Sequence, residues 1–459
     1  MGAERAVDEP AAAPSTRRVT QANDHALPHA RAERDAHVAQ FCGREQAIAT
    51  LLREQEERQR SGYAVVLGGP GSGKSALLAE LSRRFDAPFH FVKSHKEPQR
   101  FIAALIRQTL AKTSHASSAA ALDALHAASA DDLTNELVRA LERLSEEREQ
   151  VLLVLDGLDE LDNAQRALSF LPAHLPARVL FVLSGRPRLS LLTSLRMRLP
   201  ALFELGLPPF SRSETELVAA ARFNERTRKP SVEQLAQLHE TTGGSPLLVV
   251  RSLNRWARDD DFSQAAVAAS NEALFEGLLL EARDAGGELT QRLSEVLALA
   301  AEPIRLERVH EVLAQLSPSA ASLRDCRAAL ENLSAGIERA ESGELRLWHG
   351  GLAEFLHTSV LGSDDVRRLH RAFAAVCARN QDGYAQRHHV RHLWQADERA
   401  AARALAEDVN GLEARLQAGL LPEVLADLAL VESALFDALR RHGALLAERP
   451  EALRSVLSL

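Results

Sequence analysis

A run of apolar residues that ends in a glycine-rich loop and reopens as a helix leaves a chain few folds to choose from. Residues 63–80 read "YAVVLGGPGSGKSALLAE". The spacing from Gly68 to Ser75 fits GxxxxGK(S/T), after an apolar strand and at the start of a helix. Glycines let successive backbone N–H groups curl inward around an anion, and the helix N-terminus adds partial positive charge. Gly69, Pro70, Gly71, Ser72, Gly73, Lys74, Ser75 and Ala76 are therefore the expected phosphate cradle. Lys74 is placed to reach β- and γ-phosphates, and the Ser75 hydroxyl to ligate Mg²⁺.

A second stretch, "VLLVLDGLDE" (151–160), delivers Asp156, Asp159 and Glu160 to the end of a buried strand. Clustered carboxylates repel one another unless a cation or a proton-handling task justifies them. If this strand lies next to that of the phosphate loop, Asp156 falls beside Ser75 and shares the magnesium. Glu160 or Asp159 then polarises the water that attacks a γ-phosphate. A third apolar run, "VLFVLSGRPR" (179–188), carries Arg186 off the C-terminal edge of the sheet, where ligands of parallel sheets bind. Arg186 is expected to contact the γ-phosphate. "TTGGSPLLVV" (241–250) places Gly244-Ser245-Pro246 before an apolar helix; alone, this is a helix start with proline near its first position.

Five runs, 63–69, 88–94, 150–157, 177–185 and 202–209, are apolar without alternation and are separated by helical patterns. Strands of that kind belong to a parallel sheet covered on both faces. After residue 210 the pattern is helical, apart from a short strand expected near 344–349. The expected organisation is a disordered segment (1–37), a phosphate-loop core (38–210), a helical lid (211–285), a further domain (286–362) and helical hairpins (363–459). Cys42, Cys326 and Cys377 are far apart and unpatterned, which fits a reducing compartment. With no apolar run near membrane length and no signal-peptide centre, the expected location is cytoplasmic, with no membrane partner. A net charge of −8 gives no general pull towards nucleic acid.

Together these residues resemble the STAND class of AAA+ related ATPases, and within it the NACHT-like group. The resemblance rests on Phe41-Cys42-Gly43-Arg44-Glu45, the phosphate loop, Asp156-Gly157-Leu158-Asp159-Glu160, Arg186-Pro187, Gly244-Ser245-Pro246 and His349 through Leu356 ("HGGLAEFL"). It implies an α/β P-loop NTPase core of AAA+/ASCE type, then a helical lid, a winged-helix domain and helical hairpins. It also implies that Pro246 lies against adenine, that His349 reaches the β-phosphate of ADP, and that Arg44 approaches the adenine end. An N-terminal salt bridge is an equal reading of Arg44. The expected cofactors are ATP or ADP with Mg²⁺. The resemblance runs from about 38 to 360, and the chain stops where C-terminal repeats would begin. Effector and sensor are thus expected on another chain or in missing regions.

The function implied is a slowly hydrolysing switch that self-associates in its ATP state, as a bacterial signalling or defence regulator. Two other readings remain: a DNA-bound AAA+ initiator, and a non-hydrolysing scaffold holding ADP. Residues 291–360 contain seven arginines against ten acids, which argues against a DNA-reading face. Arg196 and Arg198 are candidates for an arginine finger acting on a neighbouring subunit. His388 and His392 have a zinc-compatible i, i+4 spacing, but with no third ligand in view helix packing is the better reading.

Overall fold

The computed structural model describes residues 28–39, 41–58, 61–92, 98–114, 130–161, 168, 171–199, 202–263, 267–317, 322–333, 336–339 and 343–457. Most of the N-terminal segment expected to be disordered lies outside them. Its end does not fit that expectation, since α1 (Pro28–Ala39) is helical and is followed by α2 (Glu45–Arg58). Arg34 sits 4.8 Å over the Phe89 ring, and His37 lies 5.9 Å from Phe91. The helix is anchored by side chains that look polar in sequence, so no apolar period announced it.

The core is a five-stranded parallel sheet built from β1 (Gly62–Leu67), β2 (Phe89–Phe91), β3 (Val151–Asp156), β4 (Val179–Gly185) and β5 (Phe203–Gly206), in the order β2-β3-β4-β1-β5. Alternate residues face opposite sides, and both sides are buried. Tyr63, Val65, Leu153, Leu155, Phe181 and Leu183 pack one way, under α4 (Pro98–Ala111), α5 (Ala130–Glu147) and α6 (Leu189–Arg198). Ala64, Val66, Leu152, Val154 and Val182 pack the other way, against α2 and α3 (Lys74–Arg84). Only a strand apolar at every position can fill both layers, which is why these runs do not alternate.

The strand order corrects one expectation: β3 does not adjoin β1, because β4 lies between them. β3 and β4 are equally apolar, and composition does not encode which of them pairs with β1. Leu67 pairs with Gly185 and Leu155 with Leu183, so β1, β4 and β3 end nearly level. Asp156 therefore still reaches the phosphate loop, across one strand.

Beyond β5 come α7 (Arg212–Arg222), α8 (Val232–Thr242) and α9 (Pro246–Asp259), around Phe210, Phe223, Leu238 and Trp256. Ser211 with Glu214, and Ser231 with Gln234, form capping boxes at the first two starts. Gly243 ends α8 at φ +56°, and Pro246 opens α9. α10 (Asn271–Leu299) breaks at Gly287, where φ is +68° and ψ −163°. It packs with α11 (Leu306–Leu316), α12 (Leu323–Asn332) and an antiparallel hairpin, β6 (Ile337–Arg339) and β7 (Leu345–Leu347). Ile304 bridges to Leu345 and adds a third piece to the hairpin. β6 has only three residues and escaped the sequence reading. A short helix, α13 (Gly350–Phe355), follows, and then the hairpin of α14 (Ser363–Asn380) and α15 (Gly383–Gln395), with shorter helices through Leu457.

His388 and His392 do not converge. His388 lies 3.2 Å from Glu302. His392 is buried on Phe373 at 4.5 Å and meets His370 Nδ1 at 2.8 Å and the Tyr384 hydroxyl at 2.9 Å. Among the described residues, no helix is long and apolar enough to cross a membrane.

Candidate functional site

The site lies where β1, β4 and β3 end. Gly71 and Gly73 take φ of +76° and +87°, and a Cβ on Gly68 would come within 2.3 Å of Ser72 Oγ. Side chains at these points would close the cradle. Lys74 Nζ donates to the carbonyls of Gly68 (2.8 Å) and Gly69 (3.0 Å), so the ammonium lies folded over the loop. Burial lowers its pKa, opposed by Asp156 and Asp159. Ser72 Oγ is buried with no hydrogen-bond partner, a donor held ready inside the loop.

Beside the loop, Ser75 Oγ donates to Asp156 Oδ2 at 2.7 Å, and Ser184 donates to Asp156 Oδ1. Ser184 also accepts from Gly157 N at 3.0 Å, which locks the carboxylate and the turn after it. Asp156 is only 8% exposed, and burial pushes its pKa up while the Ser184 and Ser75 hydroxyls pull it back. A buried carboxylate beside a hydroxyl, with no full counter-charge, fits a small hard dication bound by oxygen. Ser75 and Asp156 thus fit Mg²⁺.

The two remaining acids separate. Asp159 accepts from Arg186 N at 3.1 Å and pairs with Arg186 Nε at 3.0 Å, so its carboxylate is spent on positioning Arg186. Glu160 stands on the same 3₁₀ turn, Leu158–Glu160, after Gly157 at φ +88°. Arg186 is held from a second side as well: its Nη1 donates to Glu354 of α13 at 2.7 Å. That contact joins the sheet edge to a residue 168 positions later.

Arg44 is neither exposed nor in a simple salt bridge. It is 4% exposed, and its guanidinium donates to Pro208 O (2.7 Å) and Ser72 O (3.1 Å) over the face of Phe210. Its backbone N donates to Glu214 Oε1 at 3.0 Å. Burial lowers its pKa, offset by Glu214. Arg44 therefore ties the phosphate loop to the hinge before α7.

Above the loop, a Cβ on Gly71 would come within 2.7 Å of Leu247, whose N donates to Gly71 O at 3.2 Å. Pro246 lies about 4 Å from the position of a Cβ on Gly73. Asn271 Nδ2 donates to Pro70 O at 3.2 Å. His349 caps α13, accepting from Gly351 N at its Nδ1 (3.0 Å), with Phe275 and Trp348 beside the ring. Leu247 and Asn271 carry no motif of their own and were missed as site residues, although Leu247 directly follows Pro246; Glu354 lies within the HGGLAEFL stretch but was given no role there. Arg196 pairs with Glu204 (2.6 Å), and Arg198 donates to Leu171 O (2.8 Å), both within the core.

The parallel sheet with its covering helices matches the fold of P-loop NTPases of the AAA+ type, followed by a helical C-terminal region. Residues 40–183 match the family model described as AAA ATPase domain. No curated protein matches the chain. Over 91% of its length, the fold is similar to a Signal Transduction ATPase with Numerous Domains (STAND) protein with a tetratricopeptide repeat sensor from Pyrococcus horikoshii, at 15% identity and TM-score 0.52. The present chain spans 58% of that one. A Walker-type ATPase of Pyrococcus abyssi is 19% identical with TM-score 0.41, over 69% of this chain and 96% of that one. The Orc1 protein of Aeropyrum pernix, in complex with DNA, is 16% identical with TM-score 0.34, over 76% and 93%.

Proposed function

We propose that the chain is an ATP-operated switch of the STAND type, NACHT-like in its motifs, cytoplasmic and serving bacterial signalling or defence. The observation that carries the reading is Arg186, shared between Asp159 at the sheet edge and Glu354 of the C-terminal block, the elements from α10 onward. An incoming γ-phosphate competes for the same guanidinium, so nucleotide state and block position are coupled through one side chain.

In this reading the roof of Pro246, Leu247 and Asn271 closes over bound ADP, with His349 directed to its phosphates. The residues from α10 to α13 act as a winged helix. Lys74 and the loop amides bind the phosphates, Ser75 and Asp156 hold Mg²⁺, and Glu160 takes the proton of the attacking water. Bound there, Mg²⁺ supplies charge neutralisation for phosphoryl transfer. Hydrolysis is slow and resets the switch. Opened faces self-associate, and effector or sensor elements are supplied by a partner; the similar P. horikoshii protein is one with a tetratricopeptide repeat sensor.

The test is the mass of the purified protein by light scattering, with its bound nucleotide identified after denaturation. ADP on a monomer that assembles with ATP and Mg²⁺, but not as Lys74→Ala, is the expected result. A monomer with either nucleotide would remove self-association from the reading.

A further inference from the structure

Away from the phosphate loop, a cavity of about 260 Å³ opens between α9 and α10. α9 lines it with Arg251, Arg255 and Arg258, whose spacing puts all three along one helix face. α10 faces them with Leu274, Gly277 and Glu281. Two of the arginines are matched: Arg255 donates to Glu281 at 2.9 Å, and Arg258 to Asp259 at 2.7 Å. Arg251 is not. Among the described residues it makes no hydrogen bond or ion pair, and its guanidinium lies over Trp348, 3.4 Å from the ring centroid.

The charge that Arg251 feels most is the like charge of Arg258, and burial lowers its pKa to about 10, so it stays protonated at neutral pH. A partly buried cation without a counter-charge is costly. Its contact with Trp348 holds the guanidinium at the cavity wall, and the guanidinium is the fork that binds an oxyanion by two parallel hydrogen bonds. The opposite wall supplies a second observation. Gly277 sits inside α10, where glycine is less stable than alanine, yet a Cβ there would meet nothing within 4 Å. The missing side chain keeps the cavity open.

We infer that this cavity binds a small organic anion, one phosphate or carboxylate on a compact apolar body, anchored by Arg251 and enclosed by Leu248, Leu274 and Leu278. A volume of about 260 Å³ suits a compact occupant. Arg251 belongs to the lid and Trp348 to the C-terminal block, so an occupant is held where the two meet. The inference does not depend on ATP-driven switching.

The test uses the full chain with saturating ADP and Mg²⁺, titrated calorimetrically with phenyl phosphate and, separately, with benzoate. One probe should bind at one equivalent, and the preferred probe identifies the head group. Arg251→Gln should weaken binding about 10-fold or more. Gly277→Leu, which fills the cavity without touching charge, should abolish binding while the melting temperature holds or rises. No binding of either probe overturns the site, as does binding that survives both substitutions. Binding that disappears only when ADP is added would make the cavity part of the nucleotide site and also overturn the inference.

Discussion

The floor and the roof of the phosphate loop are built from different materials. The floor is interior: Asp156 and Ser184 are buried and hydrogen-bonded to each other, and Arg44 is sealed under Phe210 with its two Nη groups on Pro208 O and Ser72 O. The roof is a set of single contacts, namely Leu247 N on Gly71 O, Asn271 on Pro70 O, and Glu354 on Arg186. In the last of these pairs the side chains are 46% and 24% exposed. Buried, mutually satisfied networks are costly to break, whereas part-exposed single contacts are worth about 1 kcal/mol or less each. The contacts of the floor thus cost far more to break than those of the roof, which is what the proposed switch requires of a scaffold and its cover.

That contrast is tested most severely at Glu160. If the floor performs the chemistry, Glu160→Gln should slow single-turnover ATP hydrolysis by roughly 100- to 1000-fold. ATP binding should stay within about 3-fold, because the cradle and Lys74 are untouched. Asp159→Asn acts differently, by loosening Arg186 rather than removing a base. Hydrolysis unaffected by Glu160→Gln would leave Asp159 as the base, or return the chain to an ADP-holding scaffold.

The floor was legible in the sequence because its parts are local: a strand, a turn and a helix within 63–80, and an acid at the end of an apolar run. The link between Ser75 and Asp156 followed from chemistry even though the strand order assumed for it was wrong. The roof was legible only through resemblance. Pro246 could be named, but Glu354 meets Arg186 across 168 positions, and no periodicity encodes such a meeting. The helix α1 and the three-residue β6 were missed because each is secured by tertiary contacts rather than by its own pattern.

Acid should separate the two regions. Burial lowers His370 to about 4, with Arg391 and His357 adding like charge, and holds His392 well below its ordinary value. Below pH 6.5 the unfolded chain binds a proton that folded His370 refuses. This contribution is therefore complete above pH 6.5 and is lost as pH falls towards 4, at about 1.4 kcal/mol per unit. At pH 5 the α14–α15 hairpin should have lost about 2 kcal/mol from His370. The Asp156 carboxyl, raised by burial, has the opposite sign and gains relative stability on acidification. Hydrogen exchange resolved by segment, at pH 7 and 5, should show the hairpin loosening before the sheet. Uniform loosening, or an unchanged pH profile in His370→Gln, would show that these histidines do not set the difference.

The smallest effect probes the roof itself. An Arg–carboxylate pair as exposed as Arg186–Glu354 contributes about 0.5–1 kcal/mol, so Glu354→Gln should leave the melting temperature almost unchanged. The same energy acts on a local opening equilibrium, where it amounts to about a 2- to 5-fold shift. ADP release from Glu354→Gln should accelerate by that factor. Raising ionic strength from about 0.05 to 0.5 M should accelerate release from the parent towards the variant's rate, because salt screens a surface pair. The variant, lacking the charge, should respond less. Equal salt responses would place the restraint in Leu247 and Asn271 instead. The roof would then be held by packing and amide contacts, and Arg186 would carry no information from the nucleotide to the C-terminal block.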